Sequence, residues 1–215
     1  MNGLSRFVRS FVPGLLTLLA AACTHTGMQY GDAQASGVAI ATQTCSACHG
    51  VTGQSVSPLF PQLAGQQKEY LVAQLGDFKA HSRADERGTE YMWGFTRLTP
   101  RQIDELADYF STQTPMHGPS PAPAPDLRGQ AIFAQGLPEL GVPACSACHG
   151  AQGLGQGSFP RLAGQHADYV MQQIRVFQLT DTRPRGAAMK QVTHALSEAD
   201  TAAVARYIAA LSATP

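Results

Sequence analysis

Apolar positions along this 215-residue chain recur at helical spacing and nowhere alternate as a half-buried strand would. Gln66 to Ala80 and Gln165 to Leu179 each carry such a pattern, and Gly37 to Thr44 and Gly129 to Gln135 read as short helical leads. Thr99 and Ser197 are suited to N-caps, with Pro100 and Glu198 in the first turn. The helices they start, Ile103 to Phe110 and Ala202 to Leu211, set Leu106 beside Phe110 and Val204 beside Ile208 by i, i+4 spacing. The pattern predicts an all-α chain.

The same patterns occur twice. At an offset of about a hundred residues, Cys45-Ser46-Ala47-Cys48-His49-Gly50 recurs as Cys145-Ser146-Ala147-Cys148-His149-Gly150. Phe60-Pro61-Gln62-Leu63-Ala64-Gly65-Gln66 recurs as Phe159-Pro160-Arg161-Leu162-Ala163-Gly164-Gln165, Tyr70 as Tyr169, and the segment from Gln74 to Phe78 as Gln173 to Phe177. A repeat of this length marks two copies of one domain. Residues 23–118 form the expected first domain and 128–215 the second. Between them, 119–127 is a proline-rich linker whose alternating prolines favour an extended, semi-rigid spacer. Each copy reads as a unit of three or four helices with a small core, much of it to be filled by a bound group.

One apolar run falls outside the repeat. Residues 1–22 carry Arg6 and Arg9 ahead of Phe11 to Ala22, a signal-peptide pattern too short to cross a bilayer. Cys23, which follows Leu19-Ala20-Ala21-Ala22, is the fifth and unpaired cysteine. It fits a lipidated N-terminus after cleavage, although Leu19 is one place too far upstream, and a plain A-x-A cleavage fits the same residues. The formal net charge is zero, which argues against a nucleic-acid partner. Residues 23–118 hold six basic and nine acidic side chains, and 119–215 hold seven and six. Two domains of opposite charge sign are expected to dock different partners.

The repeated C-x-x-C-H motif carries the chemistry. Two thiols one helical turn apart can add to two porphyrin vinyl groups, and the next residue, a histidine, reaches the iron. Zinc ribbons place their C-x-x-C pairs about 15 to 20 residues apart; here they are about a hundred apart, and a redox dithiol has no need of the histidine. Cys45, Cys48, Cys145 and Cys148 are thus expected to bind two covalent haems c, with His49 and His149 as axial ligands. Pro61 and Pro160 are placed to offer a backbone carbonyl to the other ring nitrogen, or else only shape a loop. For the sixth ligand, Met92 and Met189 lie in loops before the last helix, 43 and 40 residues after their histidines. Met28, Met116 and Met171 lack repeat counterparts and read as packing or loop residues. His25, His81, His117, His166 and His194 read as surface residues, His81 and His117 being reserve ligands if Met92 does not bind.

These residues resemble cytochrome c4, a family of periplasmic dihaem cytochromes. The likeness covers roughly residues 37 to 212 and includes Tyr70, Gln74, Leu75, Phe78 and Lys79 in the helix after F-P-x-L-A-G-Q. It implies two tandem class I cytochrome c folds related by a pseudo-twofold axis. It further implies a one-electron carrier of a respiratory chain, not an enzyme, taking electrons from a quinol-oxidising cytochrome bc complex towards a terminal oxidase. Tyr91-Met92 and Ala188-Met189 depart from the double methionine common in such ligand loops. Competing readings are a dihaem peroxidase-like enzyme, which needs a displaceable ligand, and an electron-relay subunit of a dehydrogenase or oxidase. Location is expected in the periplasm, with attachment to a membrane if Cys23 is lipidated.

Overall fold

A computed structural model describes residues 31–95, 97–118, 124 and 126–212. The expectations for the signal segment, Cys23, His25 and Met28, and for linker residues 119–123 and 125, lie outside the described residues. Helices occupy most of the rest, and pairing among the described residues is limited to two isolated bridges, Leu137 with Val142 and Gln156 with Phe159.

In the first repeat, α1 (Gly37–Ile40) runs through a π-turn (Ala41–Cys45) into α2 (Ser46–His49), followed by α3 (Lys68–Lys79), α4 (Glu86–Met92) and α5 (Pro100–Ser111). The second repeat comprises α6 (Leu127–Gln135), α7 (Ser146–His149), α8 (Ala167–Leu179), α9 (Ala187–Thr193) and α10 (Glu198–Ala210). Thr99 and Ser197 cap α5 and α10 through their hydroxyls, and Thr99 forms a reciprocal capping box with Gln102. α3 and α8 begin two residues later than the periodicity predicts. Gln66 and Gln165 instead turn their side chains towards the opposite repeat.

Each repeat has its own core. Ile40, Leu71, Leu98, Ile103, Leu106 and Phe110 pack in the first, and Ile132, Phe133, Val170, Leu196, Val204 and Ile208 in the second. In both, the opening helix crosses the closing one at a glycine. A Cβ on Gly37 would stand 2.4 Å from Glu105 Cβ, and one on Gly129 would stand 2.1 Å from the Ala203 carbonyl oxygen. Only hydrogen fits at those crossings.

The repeats meet through polar side chains that are buried. Arg83 and Arg183 lie face to face across Gln74 and Gln173: Gln74 Oε1 accepts from Arg83 Nη1 at 2.8 Å and from Arg183 Nη2 at 2.7 Å. Gln173 Oε1 accepts from both guanidiniums. Each arginine also stacks on its own domain's aromatic ring, Phe78 at 4.5 Å and Phe177 at 4.8 Å. At the edge of this cluster Arg185 pairs with Asp77. Met116, fully buried, comes from the chain leaving α5; its N–H donates to the Ala64 carbonyl at 3.0 Å.

Candidate functional site

In both repeats the histidine ends a four-residue helix, and a glycine at positive φ (Gly50 at 75°, Gly150 at 81°) turns the chain back. Three residues on, the carbonyl of Gly53 accepts from the N–H groups of Leu63 and Ala64 at 2.7 and 3.1 Å; Gly153 does the same for Leu162 and Ala163. This closed loop carries a proline carbonyl to the histidine. Pro61 O accepts from His49 Nδ1, and Pro160 O from His149 Nδ1, each at 2.9 Å.

A carbonyl oxygen can only accept, so Nδ1 bears the proton in both rings and Nε2 keeps its lone pair. Burial, opposed in part by the proline carbonyl, pulls both imidazoles below their ordinary value of 6.5, which favours the neutral form. A buried neutral imidazole with a fixed tautomer is the form a metal ligand takes. Beside it, Cys48 and Cys148 are exposed and Cys45 and Cys145 half-buried. Burial pushes the thiols of Cys45 and Cys145 up to about 11. Sulfur pairs of this placement next to a bare Nε2 fit a covalently attached haem.

Met92 and Met189 both lie on short helices and not in loops, which corrects the expectation from sequence. Met92 is the last residue of α4, capped by Asp85, and Met189 is the third residue of α9, which follows a 3₁₀ turn at Pro184–Gly186. Both are half-buried. In the first repeat a chain of edge-on rings joins the Met92 segment to the histidine: Tyr91 on Phe60 at 5.2 Å, and Phe60 on His49 at 6.1 Å. In the second, Phe159 lies edge-on to His149 at 6.3 Å, and alanine replaces the tyrosine at position 188.

Of the two reserve histidines, only His81 has a ring partner among the described residues. His81 stacks on Trp93 at 4.4 Å, and His117 is exposed. His194 is on the surface as expected, but His166 sits half-buried between the repeats, its Nε2 donating to the Ser55 carbonyl at 3.0 Å. Reading the sequence assigned no role in the site to Gln62, Gln66, Gln74 and their counterparts, and passed over Arg83 and Arg183. The signal was present: Gln66/Gln165 and Gln74/Gln173 are identical in both copies, and Arg83 and Arg183 stand a hundred residues apart.

A family model described as cytochrome c matches this chain twice, over residues 34–114 and 127–212. Cytochrome c4 of Thiocapsa roseopersicina is 44% identical over 191 residues, which is 86% of this chain and 95% of the relative. The thiosulfate dehydrogenase electron acceptor of Thiomonas intermedia is 34% identical over 217 residues, 97% of this chain and 96% of its own. Among solved structures, cytochrome c4 of Acidithiobacillus ferrooxidans superposes with a TM-score of 0.73 at 43% identity, covering 78% of this chain and 98% of that one.

Proposed function

This chain belongs to the cytochrome c family and within it to the two-domain cytochromes c4, and from that premise we propose that it passes single electrons in a periplasmic respiratory chain, from a quinol-oxidising cytochrome bc complex towards a terminal oxidase. It is an electron carrier with two covalently bound haems c. Bound haem supplies an iron that changes between ferric and ferrous by one electron. In the proposed assignment Cys45 and Cys48 hold one haem and Cys145 and Cys148 the other, with His49 and His149 as proximal ligands. Met92 and Met189 are the sixth ligands, which would raise the potential and leave no position for substrate.

The observation that carries this reading is the pair of Nδ1-to-proline hydrogen bonds, repeated at the same length in both domains. They hold each ring by one nitrogen and leave the other bare. Pro61 and Pro160 act as the acceptors that orient the ligands.

A redox titration followed in the visible and near infrared tests the assignment. Two one-electron waves are expected, with a methionine-to-iron band that is reduced in both Met92→Ala and Met189→Ala. If Met92→Ala leaves the band unchanged, Met92 is not a ligand. Periplasmic export and lipidation of Cys23 are tested together by the mass of the mature protein.

A second reading has its own support in the Thiomonas relative, whose name is that of an electron acceptor for thiosulfate dehydrogenase. In that case a dehydrogenase, not the bc complex, is the donor. Comparing rates of reduction by the two purified donors separates the readings.

A further inference from the structure

The peptide units that orient the histidines are held from the opposite domain. The unit Pro61–Gln62 accepts from His49 Nδ1 through its oxygen at 2.9 Å, and its N–H donates to Gln165 Oε1, also at 2.9 Å. The unit Pro160–Arg161 accepts from His149 Nδ1 at 2.9 Å, and its N–H donates to Gln66 Oε1 at 2.7 Å. Each glutamine closes the pairing with its Nε2: Gln165 to the Gln62 carbonyl at 3.0 Å, Gln66 to the Arg161 carbonyl at 2.9 Å. Gln66 and Gln165 are 4% and 5% exposed, so water does not compete for these bonds.

Hydrogen bonds at the two ends of one peptide group polarise each other. An acceptor on the N–H makes the carbonyl oxygen more negative and a stronger partner for the histidine N–H. The imidazole then becomes a stronger donor through Nε2, which favours the ferric state. We infer that Gln165 is a positioning residue for the His49 site and Gln66 for the His149 site, each tuning the electron affinity of the haem in the other domain through a single peptide unit. The inference rests on His49 and His149 being the axial ligands. Docking of the domains does not itself require the glutamines, because the Arg83–Arg183 cluster and the Arg185–Asp77 pair also bridge the interface.

The test is spectroelectrochemical titration of the full dihaem protein, with paramagnetic proton NMR of the haem methyl groups assigning each midpoint to its domain. Gln165→Leu is expected to favour reduction of the first haem by about threefold, roughly 28 mV for one electron, and to leave the second in place. Gln66→Leu gives the mirror result. Gln165→Glu, which keeps the acceptor and adds charge, lowers the first haem's potential, and it carries the test alone if the leucine variants do not fold. A shift confined to the mutated domain's own haem, equal shifts in both haems, or no shift would each overturn the inference. Wild-type spectra lacking histidine and methionine ligation sink the ligand assignment instead, and are read before any variant is compared.

Discussion

Asp85 is 3% exposed and lies 2.8 Å from Arg83 Nε, while the donors of Arg183, also buried, go to the neutral groups Gln74, Gln173 and Tyr70. One carboxylate thus serves two guanidiniums. Burial alone would raise its pKa, but the two arginines and the Gly88 N–H more than offset this and hold Asp85 below its ordinary 3.8. Removing the charge strands buried cations, so Asp85→Asn is expected to cost about 3 kcal/mol or more, read from the urea midpoint. A depressed acid stabilises the fold above its unfolded-state value and loses that contribution as pH falls through the lower folded one. The stability gap between wild type and Asp85→Asn should therefore hold constant from about pH 8 to 5 and close below about pH 4. At this scale the cysteines, histidines and prolines were readable because their chemistry lies within about fifteen residues of sequence. Gln66 and Gln165 were not, since their partners are 95 and 103 residues away.

Among the elements, the crossings at Gly37 and Gly129 leave no room for a methyl group. Gly129→Ala would press against the Ala203 carbonyl, 2.1 Å from the new Cβ, where backbone must move. A loss of about 1–3 kcal/mol is expected, seen as a lower urea midpoint with an unchanged slope. Thr99→Ala removes one half of the capping box on α5 and should cost about 1 kcal/mol in the same assay. These caps were legible because polar residue, proline and apolar stripe follow one another directly. α4 and α9, of seven residues each, were not. A helix that short gives too few turns for periodicity to register, so both methionines were expected in loops.

Across the whole molecule, the repeat made two domains visible, but nothing in a single copy told how they would dock. The interface is built from glutamine and arginine, which periodicity assigns to the surface, and only the second copy satisfies them. Taken whole, the halves differ in charge: six basic and nine acidic residues in 23–118 against seven and six in 119–215. Electrostatic steering acts on encounter, so donor and acceptor reactions should respond differently to ionic strength. Stopped-flow rates with each partner between about 20 and 200 mM salt check this, a range over which screening shortens from beyond 20 Å to below 10 Å; identical slopes would count against separate docking faces.

The crossed glutamines also bear on how the molecule comes into being. A ribosome makes His49 and its proline long before position 165 exists, so the first half begins life with the outer end of its histidine relay open. It is completed only when the last third of the chain has been made and folded against it. The C-terminal half thereby carries its own redox centre and also the outer acceptor of the first one's histidine relay, and a chain ending before Gln165 would lack that acceptor.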